Sequence, residues 1–379
     1  MTVGVEEEFL LVDAVTRRPA PDISKVLGDV QGAAGDYAQS ELHQAQIEGA
    51  SPPCHTLDEL RAELTNVRIG LVEAAHNHGA SVVASGTYPA TMGRSGMLIT
   101  ANQRYESMAH ENRQPAREQL ICGCHIHVSV PDPELAIRAM NRARRWLPCL
   151  LALTANSPFW EAQDTGFDSY RTEVWSRWPV AGPPGAFDSV DSYHELVDQL
   201  VGCGAILSRA MAYWDIRPSE RYPTLEIRVA DVSPFVDNAV VVAALARALI
   251  MWCLDQPDEP PPLRPELLRA ANWMAARSGL SGMLIDPLDG TSAPARVCIN
   301  QLLNLLGPSL DAMGDRKQVI GLTMEILMEG NGAVLQRRAF DRRHQMVDVI
   351  DAVTLSSSGL PTSLSFETAG TSPSTGATV

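Results

Sequence analysis

The stretch GVEEEFLLVD (Gly4–Asp13) places three consecutive carboxylates inside a segment that otherwise has the composition of a buried β-strand. Side chains alternate between the two faces of a strand, so Glu6 and Glu8 share one face and Glu7 points to the other. Two carboxylates on one face repel each other unless a cation lies between them. The stretch therefore predicts a divalent-metal site, and its hard oxygen ligands favour Mg²⁺ or Mn²⁺ that holds substrate phosphates. A solvated edge strand is the alternative.

The bulk composition is that of an ordinary globular protein. The chain has 379 residues, of which 45% are hydrophobic and 20% charged. Its net charge of -15 argues against a general binder of nucleic acid or anionic membranes, because such binding relies on basic surface. A nucleotide would need bound metal and local arginines. The most apolar run, Ala239–Leu254, contains Arg247 and is shorter than the roughly 18 residues of a membrane span, so it predicts a buried core helix.

The cysteines and the C-terminus bear on location and domain organisation. The seven cysteines are odd in number and scattered, and no signal-peptide pattern precedes them, so a reducing cytoplasm is expected. From about residue 355 onward the chain is mostly Ser, Thr, Gly and Pro. Such a composition buries too little apolar surface to offset the entropy of ordering. We therefore expect one catalytic domain over residues 1–354 and a disordered tail over residues 355–379.

Several further segments carry recognisable patterns. The capping-box pattern Thr56-x-x-Glu59 predicts the start of a helix, and Gly79 predicts its end. Further helices are expected over Glu134–Leu147 and over the long apolar run, with Asn238 as a candidate cap of the latter. Strands are predicted at residues 41–51, 82–85, 120–130 and 224–232.

Polar residues within these strands are candidate ligands. Glu41 and Glu48 lie seven residues apart, so they occupy opposite faces of a flat strand and converge only if a bend intervenes. Exposed acids without a role are the alternative. In Thr224–Val232 (TLEIRVADV), Glu226 and Arg228 share one face, which puts a metal acceptor beside a guanidinium suited to phosphate. A cross-strand salt bridge is the alternative there.

The segment CGCHIHV alternates cysteine and histidine positions. Strand periodicity separates Cys122 and Cys124 from His125 and His127, which disfavours a four-ligand zinc cage on one regular strand. The cysteines are predicted to be small core residues. The histidine pair is a candidate for binding a metal or contacting phosphate, and a hydrogen-bonded histidine in a half-buried strand is the alternative.

Eight ordered blocks of the sequence resemble those of a known family, the glutamate–cysteine ligase type 2 group of ATP-dependent carboxylate–amine ligases, within the glutamine synthetase-like superfamily. The resemblance covers nearly all of the chain before the tail. The blocks are GVEEEF, ELHQAQIE, GCHIHV, TANSPFW, DSYRT, WDIRPSERYPTLEIRVAD, NWMAARSGL and NGAVLQRR.

The resemblance implies a fold and a set of site residues. The implied fold is α+β, with a curved, mainly antiparallel sheet that carries the active site on its concave face and helices on the other. Arg228 would touch the transferred phosphoryl group beside Glu226, and Arg171 and Tyr170 would bind substrate. Arg277 and Arg337 would join Arg228 in binding ATP. The implied ligands of two or three Mg²⁺ ions, with Mn²⁺ as an alternative, are Glu6, Glu8, Glu41, Glu48, His125 and Glu226.

The implied reaction is formation of an amide bond through an acyl phosphate. ATP would first phosphorylate a small-molecule carboxylate, and an amine would then displace phosphate. Glutamate with cysteine is the named pair, and another acid with another amine, as in specialised metabolism, is the alternative. A homo-oligomer is also expected from the resemblance, with no nucleic-acid or membrane partner. Two other functions remain open: a metal-dependent hydrolase that uses His125 and His127, and a non-catalytic metabolite-binding relative.

Overall fold

The computed structural model describes residues 1–20, 23–30, 33–92, 98–256 and 263–361. The strands are β1 (Val3–Asp13), β2 (Ala38–Ser40), β3 (Gln46–Ala50), β4 (Ala80–Val83), β5 (Gly123–Ser129), β6 (Phe159–Trp160), β7 (Gln163–Asp164), β8 (Ile216–Pro218), β9 (Thr224–Asp231), β10 (Met283–Ile285) and β11 (Ser292–Pro294). The helices up to the end of the main sheet are α1 (Ile23–Asp29), α2 (Ala33–Tyr37), α3 (Leu57–Asn77), α4 (Gln103–Arg117), α5 (Pro133–Ala143), α6 (Leu147–Thr154), α7 (Tyr170–Trp175) and α8 (Val190–Gly202). They are followed by α9 (Val236–Asp255), α10 (Pro265–Ser278), α11 (Ala295–Met313), α12 (Arg316–Glu329), α13 (Gly332–Arg343) and α14 (Met346–Ala352).

A seven-stranded sheet organises the protein. Its strand order is β2-β3-β1-β5-β9-β8, and β4 pairs with the C-terminal part of β1. Every pairing in this sheet is antiparallel. The acid-bearing strand β1 is therefore central and not a solvated edge, and the predicted α+β class with an antiparallel sheet is confirmed.

The two faces of the sheet differ as the strand period requires. Val5 on β1, Ile126 on β5 and Ile227 on β9 are buried in one hydrophobic core on the face against which α3 and α9 pack. Close packing of α3 depends on Gly49 in β3, because a Cβ there would lie 2.6 Å from Val67 Cγ1. The opposite face carries the carboxylates and histidines.

Two predicted elements differ from the structure. The expected strand at residues 41–51 begins only at Gln46, because a turn closed by the Gln46 N–H to His43 carbonyl bond of 3.0 Å precedes it. The expected helix Glu134–Leu147 is two helices, α5 and α6, since Pro148 lacks the amide hydrogen needed to continue α5 and instead opens α6.

The predicted helix boundaries are confirmed at α3 and shifted at α9. Thr56 and Glu59 form the complete capping box, and Gly79 follows the last turn with a positive φ of 67°. The long apolar run forms α9, but Phe235 is the N-cap residue and Asn238 lies inside the helix.

Helix α9 is the predicted core helix. By length and composition it could cross a membrane, yet 78% of its apolar window is buried inside the protein. Its one charged interior residue, Arg247, donates to Asp315 Oδ2 at 2.7 Å and to the His55 carbonyl at 2.8 Å. Burial of that charge is thus compensated by an ion pair and a backbone acceptor.

The start of the expected tail lies on the body of the protein. Leu355 is buried and donates its amide to the Val82 carbonyl at 2.9 Å, and it forms an isolated bridge with Pro361. Residues 362–379 of the expected tail lie outside the described residues.

The middle acid of the first strand has a structural partner. Glu7 is buried on the core face, where its Oε1 and Oε2 accept from Arg68 Nη2 at 2.5 Å and Nε at 2.9 Å. Arg68, on α3, also donates to the Ser233 and Pro234 carbonyls before α9. The pair therefore joins β1, α3 and the entry to α9.

Replacing Arg68 with Ala should lower the free energy of unfolding by about 3–5 kcal/mol, because it leaves the Glu7 carboxylate buried without a counter-charge. Urea denaturation followed by circular dichroism measures this change. Arg61→Ala is the matched control, since Arg61 lies on the same helix in half-exposed pairs with Asp58 and Asp237 and should cost about 0–1 kcal/mol. Equal losses for the two variants would contradict the structural role given to the buried pair.

Candidate active site

A cavity of about 260 Å³ lies on the acid-bearing face of the sheet. Strands β1, β3, β5 and β9 each direct alternate side chains into it, and the turn before β3 adds one more acid. The six predicted metal ligands and two of the predicted arginines all line the cavity: Glu6, Glu8, Glu41, Glu48, His125, Glu226, Arg171 and Arg228.

Three of the cavity residues form a first candidate metal group. Glu6, His127 and Glu226 each offer a ligand atom, and these atoms lie within 4.8 Å of one another. His127 Nε2 approaches Glu6 Oε1 at 3.3 Å, while its Nδ1 is 2.9 Å from Thr224 Oγ1. Within the described residues, His127 Nε2 is buried and has no hydrogen-bond partner of good geometry. The ring thus has one nitrogen held by the protein and the other available to a ligand.

A second candidate metal group contains Glu8, Glu41 and Glu48, again with ligand atoms within 4.8 Å of one another. The turn before β3 explains how Glu41 and Glu48 converge despite their seven-residue spacing, which is the bend that the sequence required. His125 lies between the two groups, with Nδ1 3.5 Å from Glu6 Oε2 and Nε2 3.7 Å from Glu8 Oε1.

Crowding of carboxylates changes their affinity for protons. Burial, together with the negative charge of Glu8, raises the pKa of Glu41 to about 7. Burial and the charge of Glu41 also raise the pKa of Glu48 well above its ordinary value. The pKa of Glu8 is raised by burial, although the Arg171 charge opposes the shift. A group of acids with raised pKa values is one that a cation would stabilise in the ionised form.

Glu6 behaves differently because it faces imidazoles. Burial acts to raise its pKa, but the contacts with His125 and His127 outweigh burial and hold the pKa below its usual range. Burial, followed by repulsion from Arg228, lowers the pKa of His125 to about 3. His125 is therefore neutral at pH 7, which is the state in which imidazole binds a metal.

Two arginines hold the carboxylate of Glu226. Arg217 on β8 donates through Nε to Glu226 Oε2 at 2.9 Å, and Arg228 Nη1 contacts Glu226 Oε1. Sequence reasoning identified Arg228 but missed Arg217. The β8–β9 hairpin places Arg217 directly opposite Glu226, so recognition of that hairpin would have revealed the pair. The cross-strand salt bridge, considered above as an alternative to metal binding, is present.

Arg228 packs against two adjacent rings in addition to its ion pair. Its guanidinium carbon lies 5.8 Å from the ring centroids of both Trp175 and Tyr213. Burial, together with repulsion from Arg217, lowers its pKa to about 10, so it remains charged at pH 7. The stacked rings fix the direction of the guanidinium without consuming its hydrogen-bond donors.

Arg171 is the second predicted arginine in the cavity. Its guanidinium nitrogens lie 3.4 and 3.5 Å from the Arg228 carbonyl and 3.8 Å from Asp231 Oδ1, and its Nε has no partner among the described residues. Gly123 is required beside it, because a Cβ at that position would lie 2.2 Å from Arg171 Nη2. Arg171 is thus a buried cation with spare donors beside the carboxylates.

The structure places Tyr170 and Arg277, predicted to bind substrate and ATP, outside the cavity. Tyr170 packs its ring on Phe167 at 6.0 Å, and Arg277 stacks on Trp273 at 4.6 Å at the exposed end of α10. Neither residue lines the cavity that the structure describes, and their roles in binding substrate and ATP stay predictions. Helix α7 turns Arg171 inward and leaves the preceding Tyr170 on its outer side.

Arg337 also lies outside the cavity. It donates to Asp164 Oδ2 at 2.8 Å and contacts Asp168 Oδ1, and these ion pairs join α13 to the β7 region. Its guanidinium also donates to the Phe167 carbonyl at 2.8 Å. These contacts give Arg337 a structural role, and its predicted role in ATP binding stays a prediction.

The cysteines confirm the prediction of core residues. Cys122 and Cys124 are buried free thiols, and burial raises the pKa of both thiols well above the ordinary value. Neither thiol belongs to a candidate metal group among the described residues.

Comparisons with known proteins agree with this geometry. The model of glutamate–cysteine ligase family 2 matches residues 2–355. A relative from Frankia alni, provisionally named glutamate–cysteine ligase 2-2, is 43% identical over 371 residues, covering 93% of this chain and 96% of its own length. A relative from Rhodopirellula baltica, provisionally named glutamate–cysteine ligase 2, is 40% identical and covers 92% and 96% of the two chains.

Solved structures share the fold. Glutamate–cysteine ligase from Francisella tularensis in complex with AMP has a TM-score of 0.69 at 13% identity, covering 93% of this chain and 88% of that one. A bifunctional glutathione synthetase from Pasteurella multocida has a TM-score of 0.67 at 17% identity, covering 92% and 50%. Both are fold neighbours of the chain described here.

Metal affinity should depend on pH through Glu41. Its pKa of about 7 means that protons compete with a cation below pH 7. We expect Mn²⁺ affinity, measured by electron paramagnetic resonance, to rise by up to about tenfold per pH unit between pH 5 and 7 and to level off above. Glu41→Gln should weaken binding and flatten the profile.

Glu220→Gln is the matched control, since Glu220 lines the cavity but belongs to neither candidate metal group. It should keep the wild-type pH profile. A wild-type affinity that is constant from pH 5 to 8 would show that Glu41 is not a ligand.

Proposed function

Because the chain belongs to glutamate–cysteine ligase family 2, we propose that it is an ATP-dependent carboxylate–amine ligase that forms an amide bond through an acyl phosphate. The observation that carries the proposal is that two candidate metal groups and three buried arginines, Arg171, Arg217 and Arg228, line one cavity. A triphosphate and a carboxylate are both anionic. A site that brings them together needs cations, and this cavity offers places for them.

The residues present fit Mg²⁺ or Mn²⁺. The donors are carboxylate oxygens and imidazole nitrogens, and His125 Nε2 and His127 Nε2 are buried without hydrogen-bond partners within the described ranges. Glu6, Glu226 and a histidine would hold one ion, and Glu8, Glu41 and Glu48 another. Bound there, the ions would neutralise phosphate charge and polarise the phosphoryl group.

Arg228 and Arg171 would each bind a different anion. Arg228 lies against the adjacent rings of Trp175 and Tyr213, so it would contact the transferred phosphoryl group with a fixed orientation. Arg171 would bind the substrate carboxylate through its free donors. Glu226 would act beside Arg228 as metal ligand and as the carboxylate that orients the guanidinium.

The chemistry follows in two balanced steps. A carboxylate oxygen of the acid attacks the γ-phosphorus of ATP, the bond to the β-phosphate oxygen breaks, and ADP leaves. The amine nitrogen then attacks the acyl carbon, the bond to the phosphate oxygen breaks, and the amine loses one proton as phosphate leaves. The protein supplies position and charge in both steps, and no covalent bond to a side chain is needed.

The names of the relatives suggest the substrates. Their glutamate–cysteine ligase names make glutamate and cysteine the first pair to test, and other acids and amines the next. We further propose one catalytic domain over residues 1–354, a cytoplasmic location and a homo-oligomer. None of these three is needed for the reaction chemistry.

Purified protein should release ADP from ATP only with Mg²⁺ or Mn²⁺, a carboxylic acid and an amine all present. A coupled ADP assay across a panel of acids and amines measures this requirement. Glu226→Ala should lower kcat by about 10²–10³-fold, because it removes a ligand and frees Arg228 from its fixed position. Undiminished product in that variant would refute the metal role. ATP-independent turnover with zinc would instead favour the hydrolase.

Arg171→Lys should raise KM for the acid by about 10–100-fold, because an ammonium cannot replace the planar donor pair of a guanidinium. Steady-state kinetics with saturating ATP and amine measures the change. Arg177→Lys is the matched control, since Arg177 follows the same helix but forms an exposed pair with Glu118 outside the cavity. An unchanged KM in Arg171→Lys would remove Arg171 from the substrate site.

A further inference from the structure

Glu226 has more cationic partners than a free metal ligand should have. It belongs to the first candidate metal group with Glu6 and His127, yet its Oε1 and Oε2 are already engaged by Arg217 and Arg228. A divalent cation entering this group would therefore compete with a guanidinium for the same carboxylate. The question is which of the two arginines can leave.

Arg217 cannot leave easily. Its guanidinium makes four hydrogen bonds: two to Glu226, and two from Nη1 to the carbonyls of Ala210 and Ala212 at 2.6 and 3.1 Å. These contacts tie it to the backbone as well as to the carboxylate. Arg217 is buried, so losing them would leave donors without acceptors.

Arg228 is held much less completely. Its one side-chain hydrogen bond is the Nη1 contact with Glu226, and its Nε is buried without a partner among the described residues. Its remaining contacts are the faces of Trp175 and Tyr213, which hold the guanidinium in place but leave its edge free. Arg228 can therefore exchange Glu226 for another anion without leaving its stacked position.

We propose, on the basis of the function proposed above, that Glu226 blocks Arg228 from binding phosphate until a divalent cation binds to Glu226. We call this arrangement the latch. In the structure Glu226 contacts Nη1 of Arg228, a donor that a phosphate oxygen would otherwise use. Glu6, His127 and Glu226 would hold a divalent cation, and its charge would draw the Glu226 carboxylate away from the guanidinium and release that donor. Arg217 keeps Glu226 in position throughout, so it is a positioning residue, and the phosphoryl group meets a free Arg228 only after the cation has entered.

The latch predicts an unusual gain when a metal ligand is removed. Glu226→Gln should weaken Mn²⁺ binding but should strengthen the binding of inorganic pyrophosphate in the presence of EDTA by about tenfold, because Arg228 no longer has a competing carboxylate. Isothermal titration calorimetry with pyrophosphate alone measures this affinity. The measurement needs no turnover and no identified substrate, so it is separate from the test of ligase activity.

Glu220→Gln is the matched control, because it removes one negative charge from the same cavity without touching Arg228. It should change metal-free pyrophosphate affinity by less than about threefold. Arg228→Ala combined with Glu226→Gln should abolish the gain, which assigns it to that guanidinium. Equal gains in Glu226→Gln and Glu220→Gln would overturn the latch and leave only general charge repulsion.

A second variant distinguishes the proposed effect of Glu226→Gln from an effect of misfolding. Glu226→Asp keeps the charge but withdraws it from Arg228 by one methylene, so it should show a smaller gain in the same direction. Thermal unfolding by circular dichroism checks that each variant is folded. If neither variant binds metal-free pyrophosphate better than the wild type, the proposed competition between Glu226 and phosphate does not exist.

Discussion

Repulsion between like charges is the constraint on which the rest of this structure depends. Five carboxylates from β1, β9, β3 and the turn before it share one cavity, and a buried sheet face offers too little water to screen them. The chain compensates some of this charge internally, through Arg217 and Arg228 at Glu226 and through imidazoles at Glu6. The negative charges of Glu8, Glu41 and Glu48 are compensated less completely. The raised pKa values of Glu41 and Glu48 follow from this.

The sheet separates the acids of the cavity from the hydrophobic core. Side-chain alternation separates Glu6 and Glu8 from Glu7, which pairs with Arg68 on the other face. The same alternation puts Cys124 among apolar residues and its neighbour His125 in the cavity. The acids that line the cavity and the acid of the structural ion pair therefore lie one residue apart in sequence yet on opposite faces of the sheet.

Much of this was accessible from the sequence because it depends on local periodicity. The strand at Gly4–Asp13, the capping box at Thr56 and the buried helix α9 follow from patterns within one segment. The convergence of Glu41 and Glu48 was less accessible, since it depends on a turn that the sequence left open. Arg217 was missed because its role arises from pairing between two strands. The sequence of either strand alone does not determine the pairing register.

The positions of Tyr170, Arg277 and Arg337 outside the cavity were inaccessible for a related reason: membership of a sequence block does not give the direction of a side chain. The separation of Glu6, Glu7 and Glu8 has a further consequence for how such chains can diverge. Deleting or inserting one residue in β1 would invert its side chains, exposing hydrophobic groups to the cavity and forcing two acids towards α3. The register of this strand is therefore tightly constrained, and the turn before β3 is constrained for a different reason, because it brings Glu41 to Glu48.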